Sequence, residues 1–143
     1  MGDINIGIVG PKIEPTIPFT GYNNILKTQW RKGNLPTVKI GFYGDPIKQD
    51  TVSLEHLKPH SQGGKTCLSN LVLASRRNNS SRGTKPLKEV VDIEVVKAYL
   101  RQFINVNIKG LNGVKYIRDI IKTLNKLGVH LEWEIFSIFS SKS

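Results

Sequence analysis

The chain contains a single cysteine, Cys67, among its 143 residues. An internal disulfide needs two cysteines and a thiolate zinc site needs several, so both are excluded and a reducing setting is expected. Long hydrophobic runs are also missing, and no stretch approaches the roughly 18 apolar residues of a membrane-spanning helix. The opening residues MGDINIGIVGPK lack the basic start and apolar centre of a secretory leader. Myristoylation after Met-Gly would want Ser or Thr where Ile6 stands. These absences predict a cytoplasmic protein, intracellular and without a membrane partner. Internal repeats and low-complexity tracts are absent as well, and the length fits one domain spanning 1–143, since single domains most often run to roughly 100–150 residues.

Acidic residues are the other scarcity. Eleven Asp and Glu face 21 Lys and Arg, a formal charge of +10, with a pI near 9.9. Such an excess attracts polyanions, because basic side chains release the counterions condensed on a phosphate backbone. The charge is uneven: four bases and two acids in 1–36, nine and three in 37–88, eight and six in 89–143, giving +2, +6 and +2. The middle third is therefore the expected contact surface.

Pro11, Pro15 and Pro18 keep the first twenty residues from forming a helix, so they read as extended chain around a short strand, Ile4 to Val9. The spacing predicts a short helix from Tyr22 to Trp30, stopped by Gly33-Asn34 and Pro36. For Trp30, beside Arg31 and Lys32, core packing is favoured over base stacking. Val38 to Tyr43 and Thr51 to His56 read as strands, separated by the Gly44-Asp45-Pro46 turn and able to pair as a hairpin. An apolar run, Leu71 to Ala74, precedes a polar stretch, Ser75 to Arg82, ended by Gly83 and Pro86. Two amphipathic helices follow. Their stripes are Ile93, Val96, Leu100, Phe103 and Ile104, then Val114, Ile117, Ile121, Leu124 and Leu127, with Gly128 as a stop. Val129, Leu131, Trp133 and Ile135 then alternate with His130, Glu132 and Glu134, a half-buried strand pattern. The fold class is α+β: an N-terminal extension over 1–37, a core over 38–88 and a C-terminal helical extension over 89–143.

From Leu54 the chain reads LEHLKPHSQGGKTCLSNLVLASRRNNSSRG. Glu55 directly precedes His56, Pro59 follows three residues later, and Ser61 stands before Gly63-Gly64. Asn70-Leu71 opens the apolar run, and Asn79, nine residues on, leads to Ser-Ser-Arg82-Gly83. In this order and spacing the set resembles the HNH, or ββα-metal, endonuclease family over roughly residues 38 to 88. The resemblance implies hydrolysis of DNA phosphodiester bonds on a ββα-metal core, leaving 5′-phosphate and 3′-hydroxyl ends. It makes His56 the general base and Glu55 and Asn79 the metal ligands. Asn70 would belong to the catalytic set as the residue that steadies the histidine loop.

Those roles also make chemical sense without the family. Phosphodiester cleavage needs a base for water, a cation for the charge building on phosphate and leaving oxygen, and basic groups that hold the backbone. An unperturbed imidazole, with a pKa near 6.5, is mostly neutral and basic at about pH 7.5. Glu55 and Asn79 offer hard oxygen donors, which suit magnesium, with manganese as a substitute. Neighbours in a regular strand face opposite sides, so Glu55 and His56 can address one phosphate only if the strand breaks or bulges there. On the helix that follows, Arg76, Asn79 and Arg82 recur every three residues and are expected to share a face. Lys58, His60, Lys65, Arg76, Arg77, Arg82 and Lys85 are the expected nucleic-acid contacts, with Lys88 nearby.

Many members of the resembled family carry two Cys-x-x-Cys pairs around a structural zinc. The matching positions here are Gly41 with Gly44 and Ser75 with Asn78, so no structural zinc is expected. Two other readings stay open: a non-catalytic nucleic-acid-binding protein on the same scaffold, and a nuclease for RNA or branched DNA.

Overall fold

A computed structural model describes residues 25–83 and 85–131, apart from the side chains of Asn79 and Ser80. Helix α1 covers Ile25–Arg31. Strand β1, Val52–His56, pairs antiparallel with β2, Leu71–Ser75. Helix α2, Arg76–Arg82, leaves β2 without a loop. The C-terminal part holds α3, Ile93–Arg101, the two-residue strands β3 (Asn107–Ile108) and β4 (Leu111–Asn112), and α4, Gly113–Lys126. The described residues are thus mixed α+β, with four α-helices and two small antiparallel sheets. No helix among them is long and apolar enough to cross a membrane. The expected strand Ile4 to Val9 and the segment from Glu132 onward lie outside the described residues. Val129 and Leu131 are buried and His130 is exposed, without strand pairing.

One strand expectation is corrected. Val38–Tyr43 is not a strand and does not pair with β1; it makes a single bridge, Ile40 to Pro46. The chain turns here instead, with Gly41 N–H donating to Asp45 O at 2.8 Å and Gly44 N–H to Gly41 O at 2.9 Å. Asp45 Oδ2 then accepts from Asn78 Nδ2 at 2.7 Å and Ser75 Oγ at 3.4 Å. Positions 41, 44, 75 and 78 therefore meet at one small polar junction around Asp45. Ser75 also caps α2, accepting from Asn78 N at 3.2 Å, which satisfies one of the orphan donors of the first turn.

The partner that β1 takes is the apolar run, and β2 is buried at every position. Its edge away from β1 meets side chains in place of a third strand. Leu73 N–H donates to Tyr99 Oη at 3.0 Å, Tyr116 Oη donates to Leu71 O at 2.8 Å, and the two phenol oxygens lie 2.9 Å apart. Because Leu71 O only accepts and Leu73 N–H only donates, the Tyr99 hydroxyl must donate to Tyr116. Leu73 O accepts from Phe42 N at 2.8 Å. Burial raises both phenol pKa values far above the ordinary range, which keeps the chain protonated. Tyr99 and Tyr116 come from α3 and α4, so this buried relay fastens the C-terminal helices to the strand pair. The apolar stripes of α3 and α4 complete one core that runs from Leu26 to Leu131.

Candidate functional site

The β1–β2 ladder is regular to its end: Glu55 pairs with Val72 and His56 with Leu71, and Leu57 N–H still donates to Asn70 O at 2.9 Å. The expected break or bulge between Glu55 and His56 is therefore absent. An unbroken strand sends adjacent side chains to opposite faces, and these two meet different surroundings.

Glu55 faces α2 and is 8 % exposed. Its Oε2 accepts from Arg82 Nη1 at 3.2 Å and from the Tyr43 hydroxyl. Burial and the adjacent carboxylate push the Tyr43 phenol far above its usual pKa, so it remains a donor. Glu55 Oε1 has no hydrogen-bond partner among the described residues. Arg82 is only 5 % exposed. It also donates from Nη1 to His56 O at 3.0 Å and from Nε to Lys85 O at 3.1 Å. One guanidinium thus joins β1, the end of α2 and the chain beyond it. Arg82 is an expected phosphate contact; the structure buries it and commits Nε and Nη1 inside the protein. It also separates Arg82 from Arg76, which is exposed and donates to Asp50 O at 2.8 Å.

His56 faces the loop 57–67. It is partly exposed, and its Nε2 lies 2.9 Å from Thr66 Oγ1. Nδ1 makes no hydrogen bond with the described residues. Desolvation lowers the His56 pKa below the usual histidine value, His60 lowers it further, and the charge of Glu55 opposes both. The ring of exposed His60 stands edge-on, centroids 5.8 Å apart. The lowered pKa of His56 favours its neutral form at neutral pH.

The loop carrying these groups is held by Asn70, itself 6 % exposed. The Asn70 carboxamide accepts from Lys58 N at 2.8 Å and donates to Lys58 O at 3.1 Å and Lys65 O at 2.8 Å. Both ends of the turn are fixed by one side chain. Gly64 is required by close approach, since a Cβ there would sit 1.8 Å from Lys58 O. Gly63 closes the short 3-10 turn His60–Gln62 in the left-handed region, with φ of 90°.

The structure places Lys58, His60 and Lys65 on this loop, with the His60 ring against His56 at the end of β1. It places exposed Arg76, Arg77 and Lys85 on and after α2. Asn79 belongs to α2, but its side chain lies outside the described residues. Sequence reasoning missed Tyr43 and Thr66, the direct partners of Glu55 and His56; each lies ten or more residues from its partner, and no spacing marks it. Among the described residues no three His, Cys, Asp or Glu side chains cluster to hold a metal.

No family model, curated protein or solved structure matches this chain.

Proposed function

We propose that the protein is a metal-dependent endonuclease with an HNH-type, or ββα-metal, centre that hydrolyses DNA phosphodiester bonds. The observation that carries the proposal is His56: a partly buried ring whose desolvation favours the neutral form, anchored through Nε2, with no hydrogen bond from Nδ1 to the described residues, beside a loop of exposed lysines. In this reading Thr66 Oγ1 accepts from Nε2–H, which leaves the lone pair on Nδ1 to take a proton from the attacking water. Lys58 and Lys65 hold the phosphate from the loop, and Arg76, Arg77 and Lys85 hold the backbone from the helix side. Asn70 acts through the loop it ties down. Arg82 is a positioning residue, fixing Glu55 and the backbone of His56.

Magnesium suits hard donors: Asn79 would contribute an amide oxygen, and Glu55, which the unbroken strand turns to the face opposite His56, would reach the same ion only through a bridging water. When bound, the ion would stabilise charge on the phosphate and leaving oxygen. Glu55 shares its charge with Arg82, so the ion's other ligands would be water and substrate phosphate. That is the usual manner of magnesium sites, which keep several waters and use one or two carboxylates.

The same ion pair favours a second reading. A carboxylate already neutralised by a buried guanidinium also suits a nucleic-acid-binding scaffold without catalysis. Incubating supercoiled plasmid with the protein and magnesium separates the two. Nicking that EDTA and His56→Ala both abolish supports the nuclease; tight DNA binding with no cleavage at any magnesium or manganese concentration establishes the binding protein. Parallel assays on RNA and branched DNA assign the substrate class.

A further inference from the structure

A groove beside the histidine loop shares Lys58 and Lys65 with the reading above and extends from them to α4, which that reading does not use. It encloses about 390 Å³, and its lining includes Lys58, Gly64, Lys65, Cys67, Thr123 and Lys126. Lys58, Lys65 and Lys126 are all exposed, and no carboxylate is among the lining residues. Three ammonium groups around one concavity repel each other in the free protein, and an anion seated between them relieves that repulsion. The walls are firm. Asn70, itself part of the lining, ties the turn that carries Lys58 and Lys65. Thr123 Oγ1 of α4 donates to Ser69 O at 2.6 Å, holding the helix against the loop.

Two features select the anion. Thr66, the partner of His56, sits between the lining residues Lys65 and Cys67, so the groove borders the segment that anchors His56. No aromatic side chain lines it, so it has no platform on which a base would stack. We infer that this groove binds a second backbone phosphate of the nucleic-acid strand, with Lys126 of α4 as a phosphate contact outside the histidine motif. The inference rests on the nuclease reading for the path of the strand. It gives the C-terminal helix a direct part in binding, and the contact is independent of base sequence.

The test is binding of a short duplex in EDTA, where no cleavage occurs, measured across salt concentrations for wild type, Lys126→Gln and Lys39→Gln. Lys39 is exposed and does not line the groove. Loss of one phosphate contact reduces the slope of log K against log salt by about 0.9, so between 50 and 200 mM salt the wild type loses about 3.5-fold more affinity than Lys126→Gln. Lys39→Gln should keep the wild-type slope. An unchanged slope for Lys126→Gln, or an equal fall for Lys39→Gln, overturns the assignment. Inorganic phosphate supplies the second arm. Saturable binding of phosphate alone, lost in Lys126→Gln without any change in duplex binding, would make the groove a small-anion site and also overturn the backbone assignment. Plasmid nicking decides the nuclease reading separately, so a failure of the groove assignment is distinguishable from a failure of that reading.

Discussion

Glu55 and His56 are neighbours on one strand, yet one face of β1 is closed and the other open. On the closed face a carboxylate, a guanidinium and a phenol satisfy each other beneath α2. On the open face an imidazole has one anchored nitrogen and one without a hydrogen bond to the described residues, near exposed cations. A buried ion pair adds little net stability when intact, because desolvation offsets its attraction, but breaking it strands a charge. A half-exposed histidine can lose its ring without leaving a buried group unpaired. The two faces should therefore respond oppositely to mutation: the closed face through stability, the open face through chemistry.

The largest effect should come from the open face. His56→Ala is expected to lower the rate of plasmid nicking by about 10²–10⁴-fold, the usual contribution of a general base, with the melting temperature nearly unchanged. A comparable loss of stability would erase the contrast between the faces.

Arg82→Ala should do the reverse. Leaving Glu55 buried without its cation costs about 3–5 kcal/mol, and calorimetry or denaturant titration would detect it. The double variant Glu55→Met, Arg82→Met should recover much of that loss, since an apolar pair strands no charge. If Arg82→Ala folds with wild-type stability, the guanidinium is free for phosphate and the closed face is open after all. Tyr43→Phe probes the same face more gently. It removes one donor to Glu55 Oε2 while Arg82 remains, for an expected cost of about 1–3 kcal/mol.

How much of this contrast the sequence revealed follows from the reach of each interaction. The α3 and α4 stripes were legible because each helix buries one face, and a period of 3.6 survives in the pattern. β2 is buried on both sides, so Leu71–Ala74 shows no alternation to distinguish strand from helix. Val38–Tyr43 alternates well but turns, because Gly44 takes φ of 98° and Asp45 draws the segment onto α2. The motif put His56 and Asn70 near one another, yet it made Arg82 an exposed clamp. Charge on a short polar helix ordinarily faces water, and only tertiary packing reveals that a carboxylate twenty-seven positions away lies beneath it.

pH offers a milder probe of the open face. Burial disfavours the imidazolium, so the His56 midpoint lies below 6.5. Nicking, which requires the neutral ring, should be full at neutral pH and fall as acid protonates the ring below that value. Stability linked to this ring has the same sign: it is present above pH 6.5 and lost as pH drops through the lowered midpoint. A kcat/KM profile whose acid limb lies above 6.5 would remove His56 as the base.

The smallest expected effect tests the anchor itself. If Thr66 Oγ1 accepts from Nε2–H, the hydroxyl both fixes the tautomer that frees Nδ1 and stabilises the imidazolium formed when the base takes its proton. Thr66→Val keeps the shape and removes the acceptor, a loss of about 0.5–1.5 kcal/mol, or roughly 2- to 12-fold in rate. Losing an acceptor also disfavours the charged ring, so the acid limb should move further down in pH. Thr66→Ser retains the hydroxyl and should restore both rate and profile. A structural role for the methyl group predicts the opposite ranking, with Val tolerated and Ser impaired. The order of these two variants therefore decides whether the open face is held in a reactive tautomer or merely packed.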